Sequence, residues 1–219
     1  MAFIYYYHPL ASFCWKPLIA VYEAGVPIDP VVVDLGDPRS KADFLAVWPF
    51  GKFPVLVDSA SGETVPESTI IIEYLAERVP QAARLIPEDA RVRREARLLD
   101  RIFDHYVQEP MQKIVGDRIR PEGRRDPFGV AQAHEDIRTA YRMLEPRLEG
   151  RPWAAGETFS LADCAAAPAL FYADKVEPLG AHAGLAAYLK RLLERPSFAR
   201  VIEEARPYFH LFPEKPAAS

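Results

Sequence analysis

The N-terminal part of the chain alternates between short apolar runs and helical spacing. Residues 3–7 are aromatic and β-branched and are followed by His8-Pro9, which is typical of a short buried strand. The next apolar positions share the spacing of one helical face: Trp15, Leu18, Ile19 and Tyr22. Three valines at residues 31–33 predict a second strand. Short links between these elements predict a right-handed crossover with the two strands parallel.

A hairpin is predicted after a weakly helical stretch at residues 41–47. Residues 55–57 have the pattern of a strand, and the turn-rich residues 58–62 join it to residues 63–65, so these two strands are expected to be antiparallel. The segment at residues 66–68 then opens a helix. The predicted order is β-α-β-(α)-β-β-α.

Strand patterns disappear after residue 87, and helical periodicity takes over. Apolar positions predict helices across residues 92–106, 137–148, 161–171, 185–193 and 198–205. The charged segment at residues 116–129 is rich in Gly and Pro and is expected to be a loop. The predicted fold class is therefore an α/β domain over residues 1–80 followed by an all-α domain over residues 87–219.

Composition and charge exclude several classes of function. The chain is 49% hydrophobic and 26% charged, as globular proteins are, and its net charge of −4 with scattered Lys and Arg gives no sign of nucleic-acid binding. The two cysteines have no spacing typical of a zinc site or a disulfide framework, so we expect no metal and a reducing compartment. No signal peptide or membrane-spanning run is recognisable. We expect a cytoplasmic protein without a membrane partner.

The Phe53-Pro54 pair, just before the third strand, has two interpretations. If the bond is cis, the main chain of Phe53 turns outward, and its N–H and C=O can pair with an extended, peptide-like ligand. Alternatively, a trans proline simply occupies the first position of a strand.

Glu67 and Ser68 stand at the start of a predicted helix, where free N–H groups and the helix dipole attract a carboxylate. Glu67 can hold an ammonium group, and Ser68 can add its hydroxyl. Together they would bind the head of an amino acid. The alternative is that both residues merely cap the helix.

The loop at residues 10–14 supplies candidates for sulfur chemistry. Because Pro17 suits only the first turn of a helix, we expect the helix to begin near Cys14 or later. Ser12 and Cys14 would then both lie at a helix N-terminus, where a hydroxyl can donate to a thiolate and a thiol pKa falls. Alternatively, Ser12 is a local cap and Cys14 a small buried apolar residue.

Taken together, these motifs resemble the cytosolic glutathione transferase family, in particular its bacterial serine- and cysteine-type members. Residues 51–56 are similar to the cis-proline motif of the family, the pair at residues 67–68 to its Glu-Ser pair, and residues 159–163 to its N-capping box in the helical half. The resemblance implies a thioredoxin-like N-terminal domain followed by an all-helical C-terminal domain. It also implies glutathione as a substrate, with no metal.

The resemblance also implies roles for single residues. Phe53 would pair through its backbone with the cysteinyl part of glutathione, and Glu67 and Ser68 would hold the γ-glutamyl end. Candidates for the glycyl carboxylate are basic: Lys41, Lys52 and, less favoured, Arg39. The family often completes this site across a homodimer, and acidic residues of the long helix could reach the partner's glutathione: Asp100 or Asp104.

The sequence departs from the family pattern at the thiol-activating position, where Ala11 stands and Ser12 is its neighbour. Ser12 could supply the hydroxyl, and Tyr7 could do so in the manner of tyrosine-type members. The missing first cysteine of the loop argues against a thiol reductase. We therefore expect Ser12 to lower the thiol pKa of glutathione for attack on a small hydrophobic electrophile. The expected walls of the electrophile pocket are Phe13, Tyr106, Met111 and Ile114.

Two other functions use the same residues. A glutathione-dependent isomerase would share every residue of this site, and a non-catalytic binding or scaffold protein is consistent with Ala11 at the activating position.

Overall fold

The computed structural model describes residues 3–213 and shows a four-stranded sheet followed by helices. The strands are β1 Phe3–Tyr7, β2 Ile28–Val32, β3 Val55–Asp58 and β4 Glu63–Pro66. The helices within or directly after the sheet are α1 Ser12–Ala24, α2 Pro38–Val47, α3 Ser68–Arg78 and the short α4 Pro80–Ala83. The later helices are α5 Ala90–Ile102, α6 Glu109–Arg118, α7 Pro127–Leu148, α8 Leu161–Ala173, α9 Ala183–Leu193 and α10 Pro196–Ala205.

The sheet has the strand order β2-β1-β3-β4. β1 and β2 are parallel, whereas β1 with β3 and β3 with β4 are antiparallel, which confirms the predicted crossover and hairpin. Val55 at the start of β3 is paired with Tyr6 near the end of β1 and with Pro66 at the end of β4. The segments that follow β1 and β4 and precede β3 therefore meet at one edge of the sheet. β2 lies at the side of the sheet and contains Pro30 opposite Tyr5.

Side chains of β1 alternate between two apolar layers, as the period of a strand requires. Phe3 and Tyr5 are buried in the large core that includes α1, α3 and the C-terminal helices. Tyr6 packs on the opposite face against a small cluster of Val33, Phe44 and Val55 beneath α2. The sheet is thus covered on both faces.

α1 begins at Ser12, two residues earlier than the proline rule predicted. The carbonyl of Ala11 accepts hydrogen bonds from the N–H groups of Cys14 and Trp15, at 2.8 and 3.2 Å, so the first turn forms before Pro17 is reached. Pro17 therefore lies inside the helix, where it removes one intrahelical donor.

The long helix predicted at residues 92–106 is longer than expected and changes its geometry in the middle. A π-helical segment, Phe103–Gln108, joins α5 to α6 without an intervening loop. The predicted loop at residues 116–129 is shorter than expected, because α6 continues to Arg118 and α7 begins at Pro127.

The predicted capping box at the start of α8 is present and buried. The Asp163 carboxylate accepts the N–H of Ser160 at 2.8 Å, the N–H of Ala154 at 2.8 Å and the hydroxyl of Tyr188 at 2.6 Å. Burial raises the pKa of Asp163, and the donated hydrogen bonds oppose this rise. No helix between residues 3 and 213 combines the length and apolar character needed to cross a membrane.

Candidate active site

The edge of the sheet where β1 and β4 end brings most of the predicted site residues together. The segment after β1 carries His8 and leads to Ser12, the segment before β3 contains Phe53, and β4 leads directly into Glu67. The His8 and Phe53 rings stack with centroids 6.0 Å apart and planes inclined by 20°. Because these positions lie far apart in the chain, the pairing register of the strands creates their proximity.

The peptide bond between Phe53 and Pro54 is cis, the first of the two interpretations given to this pair. The Phe53 side chain is half-buried between His8 and Phe44. Its main-chain N–H and C=O form no hydrogen bond with any other residue of the described chain. Because unpartnered main-chain groups favour pairing with an extended ligand, this edge can bind a peptide-like molecule.

The N-terminus of α3 carries a backbone distortion at Glu67. This residue has φ 70° and ψ 124° and is the one non-glycine with positive φ among residues 3–213. A non-glycine residue with such φ and ψ angles costs about 1–3 kcal/mol, and residues of this kind cluster at functional sites. Glu67 makes no side-chain cap to the helix, so the capping alternative does not explain it. Its carboxylate is exposed, whereas Ser68 is buried at the first helical position.

Ser12 is the first residue of α1 and is 4% exposed. Its Oγ accepts a hydrogen bond from Nε2 of Gln108, in the helical half of the protein. Ser12 also borders a cleft of about 500 Å³ between the two halves. Since the hydroxyl proton is not used by the bond with Gln108, it is available to a ligand in the cleft.

Cys14 and Tyr7, the alternative thiol activators, are placed less favourably. Cys14 is completely buried, and burial raises the pKa of its thiol, which is the behaviour of an inert apolar residue. Tyr7 lies on the face of β1 that carries Tyr5 and does not border the cleft. Burial raises the pKa of Tyr7, and Glu204 and Tyr208 add to this rise.

His8 is a residue of this site that the sequence interpretation missed. Its Nδ1 accepts the N–H of Leu10 at 3.2 Å, so the neutral ring carries its proton on Nε2. Burial lowers the pKa of His8, and the charge of Asp34 opposes this change in part. The stacking with Phe53 was not visible in the sequence, because the two residues lie on different elements.

The cleft is lined mainly by apolar side chains from the helical half. Met111, Val115, Tyr172 and Phe212 are its main apolar walls, opposite Ser12. Of the residues predicted to form an electrophile pocket, Met111 alone lines this cleft. Ile114 is buried and Tyr106 is exposed, and neither of them borders the cleft; Phe13 does not border it either. Helical register, which the sequence did not determine, decides which side chains reach the cleft.

The basic residues predicted for the glycyl carboxylate are at the surface. Lys52 directly precedes Phe53, and Lys41 lies in α2; both side chains are exposed. Their assignment remains a prediction.

The acidic residues expected to reach a partner's glutathione have another role. Asp100 and Asp104 are buried, and their carboxylates lie 2.5 and 2.7 Å from Nζ of Lys16 in the same chain. Both carboxylates thus neutralise a buried ammonium group within the chain, and a contact with a partner's glutathione stays a prediction.

A larger groove of about 960 Å³ also lies between the two halves. It is lined by charged side chains that pair with one another, including Glu23 with Arg195 at 2.7 Å. None of the predicted site residues borders it. In the chain from residue 3 to residue 213, no group of three or more His, Cys, Asp and Glu side chains could hold a metal ion.

Two family models match the chain. The one described as the glutathione S-transferase N-terminal domain matches residues 6–83, and the one described as the glutathione S-transferase C-terminal domain matches residues 127–191. Together the two matches cover more than half of the sequence. The chain belongs to the glutathione S-transferase family. The expected fold class, a thioredoxin-like domain followed by a helical domain, is thereby confirmed.

The individual matches have low sequence identity but extend over much of the chain. The chain is 31% identical over 139 residues to the glutathione S-transferase-like protein LUC7 of Fusarium sp, a match that spans 60% of this chain and 59% of the relative. It is 28% identical to glutathione S-transferase 3 of Zea mays over 202 residues, 89% of this chain and 90% of the relative. A crystal structure of a Methylobacillus flagellatus KT glutathione S-transferase with glutathione bound has a TM-score of 0.82 and 29% identity, and the match covers 91% of this chain and 98% of that one.

Proposed function

We propose that the protein is a glutathione transferase that activates the thiol of glutathione for attack on a hydrophobic electrophile. The observation that carries this proposal is the open main chain at Phe53, which lies between the N-terminus of α1 and the N-terminus of α3. The family and the glutathione bound to the Methylobacillus flagellatus relative support the choice of ligand.

Glutathione would lie along this edge of the sheet, with its γ-glutamyl end at the start of α3 and its glycyl end at the surface. Its cysteinyl unit pairs with the N–H and C=O of Phe53. Its γ-glutamyl carboxylate meets the N–H groups at the start of α3 and the hydroxyl of Ser68, while Glu67 binds the ammonium group. Lys52 or Lys41 then binds the glycyl carboxylate at the surface.

The thiol would be placed at Ser12, whose hydroxyl donates to the thiolate. A hydrogen bond to a charged group contributes about 1.5–3 kcal/mol, which lowers the thiol pKa by about one to two units. The thiol releases its proton to solvent water, and the resulting thiolate attacks an electrophilic carbon in the apolar cleft and forms a C–S bond. The displaced group leaves with its electron pair, or, in an addition, the neighbouring atom takes up a proton from water.

A thiol titration tests this function. We expect wild-type protein to bind glutathione, to lower the pKa of the bound thiol as seen by ultraviolet difference spectra, and to act on a chromophoric aryl halide. Ser12→Ala should raise that pKa by about one to two units, whereas Tyr7→Phe and Cys14→Ala should leave it unchanged. Equal behaviour of all four proteins would remove Ser12 from its role. Binding without turnover would favour a scaffold, and turnover of a cis-olefinic diketo acid alone would favour an isomerase.

We also propose that the enzyme is a cytoplasmic homodimer with the domain division 1–80 and 87–219. Exposed apolar side chains on neighbouring helices, Ile70 on α3 and Leu98 on α5, support association of two copies. Light scattering combined with size-exclusion chromatography would test it; a monomer at micromolar concentration would contradict the dimer.

A further inference from the structure

Gln108 connects the helical half of the protein to the thiol-activating serine. It is the last residue of the π-helical segment and is 2% exposed. Its Nε2 donates to Oγ of Ser12, ninety-six positions earlier in the chain. Its Oε1 is buried and has no hydrogen-bond partner in the described part of the chain. An unpartnered polar atom in a buried site is costly, so its presence next to the site requires an explanation.

A second buried polar contact fixes this arrangement one helical turn away. Lys16 follows Ser12 by four residues on α1, and Asp104 precedes Gln108 by four on the facing helix. Nζ of Lys16 lies 2.7 Å from the carboxylate of Asp104, with both side chains buried. Two consecutive contacts between the same helices, Lys16 with Asp104 and Ser12 with Gln108, leave little freedom for the helices to slide past each other.

The orientation of the amide determines what Ser12 can do. In the observed orientation, the amide donates, and the hydroxyl keeps its single proton. In the reversed orientation, Oε1 would accept that proton, and the two N–H donors of the amide would be left without acceptors. The observed orientation leaves Oε1 and one N–H of the amide without partners in the described chain, as many groups as the reversed orientation does. The two orientations differ in that the observed one keeps Ser12 able to donate.

We propose that Gln108 is a positioning residue that holds the Ser12 hydroxyl as an acceptor on its protein side, so that its one proton points to the thiolate of bound glutathione. The inference rests on the proposed function, because it assumes that Ser12 donates to that thiolate. Gln108 touches neither glutathione nor the electrophile in this arrangement and acts through Ser12. The π-helical segment is the element that presents it, and such segments are frequent at functional sites.

Removal of the Gln108 amide should change the pKa of the bound thiol by a small amount that can be calculated. The amide N–H blocks one of the three staggered positions of the Ser12 hydroxyl proton, so without the amide the proton has three positions instead of two. Gln108→Met, which has a similar volume and no donor, should therefore raise the pKa of the bound thiol by about 0.2 unit, the logarithm of 1.5. In a Ser12→Ala background the same substitution should have no effect, because the hydroxyl is gone.

The test is a double-mutant cycle on the thiol pKa, with Ser12→Ala, Gln108→Met and their combination measured by ultraviolet difference titration. Val107→Ala is the matched control, because Val107 is buried in the same π-helical segment and bonds to no site residue. It should lower the melting temperature and leave the thiol pKa unchanged. If Gln108→Met does not fold, Gln108→Asn replaces it, since the shorter amide cannot reach Ser12.

A shift of about 0.2 unit that disappears in the Ser12→Ala background supports the proposal. No shift in Gln108→Met overturns it while leaving Ser12 in its role. Equal shifts with and without Ser12, or a shift in Val107→Ala, would mean a general packing effect and would also overturn it. If Ser12→Ala itself does not shift the pKa, the assignment of Ser12 fails, and the role of Gln108 fails with it.

Discussion

Replacement of Lys16 by methionine should destabilise the protein strongly. The Lys16 ammonium is buried at the contact between α1 and α5, 2.5 Å from Asp100 and 2.7 Å from Asp104, and it donates to the hydroxyl of Thr69 at 2.8 Å. Methionine fills a similar volume without a charge. The change therefore leaves two buried carboxylates without their main counter-charge.

The expected loss of stability in Lys16→Met follows from the burial of the ion pair. Removal of one partner of a buried ion pair typically costs about 3–5 kcal/mol. We expect the lower end of this range, because Arg101 also contacts both carboxylates and its side chain is 48% exposed. A loss of about 3 kcal/mol corresponds to a melting temperature lower by roughly 6–12 °C in a protein of this length.

Thermal and urea unfolding would be measured on wild type, Lys16→Met and a control, Arg97→Met. Arg97 also joins the two halves, through Glu73 at 2.8 Å, but its side chain is 51% exposed, so its loss should cost about 1 kcal/mol or less. Lys16→Met combined with Asp100→Asn and Asp104→Asn should recover most of the stability. Equal losses in Lys16→Met and Arg97→Met would refute the reasoning, because burial would then have no influence on the pair.

Three further predictions concern the two buried thiols, His8 and the apolar cleft. Cys14 and Cys164 are fully buried, and burial raises the pKa of each thiol, so a thiol reagent should label neither in native protein and both in guanidinium; rapid native labelling would contradict this. Burial lowers the pKa of His8, so the unfolded chain binds a proton at this residue more readily than the folded chain does. The free energy of unfolding of the wild type should therefore fall as the pH drops below about 6.5, and His8→Phe should lack this part of the loss. Identical changes in urea midpoint between pH 7 and pH 5 would argue against it. Val115→Phe narrows the cleft and should raise KM for a bulky electrophile about tenfold while the thiol pKa stays constant, whereas an unchanged KM would place the electrophile elsewhere.

The elements that depend on local rules could be predicted from the sequence. The capping box at Ser160 and Asp163 joins residues three apart, and the helical face of α1 repeats within one element. The parallel pair of β1 and β2 and the hairpin of β3 and β4 followed from short connections and a turn-rich segment. The Glu67-Ser68 position was found because helix starts have a recognisable composition. In each case the interacting residues are close in sequence.

The parts that were missed depend on contacts between distant residues. A π-helical turn differs from an α-helical one by a single position, so the apolar spacing of residues 103–108 does not reveal it. Lys16 looks like an ordinary surface lysine until α5 and the π-helical segment supply one carboxylate each to its buried ammonium group. The partners of Ser12 and His8 likewise come from other elements. Register between helices, rather than composition, determines these contacts.

The proline in β2 affects how the molecule behaves in concentrated solution. β2 is an outer strand, and Val31 and Val32 beside Pro30 are exposed apolar residues of high strand propensity. An exposed edge strand of this kind can pair with a strand of another molecule and start aggregation. Pro30 has no N–H to offer and interrupts the row of donors that an incoming strand would need. Replacing it would return one N–H group to this row and remove a barrier to pairing between the outer strands of two molecules.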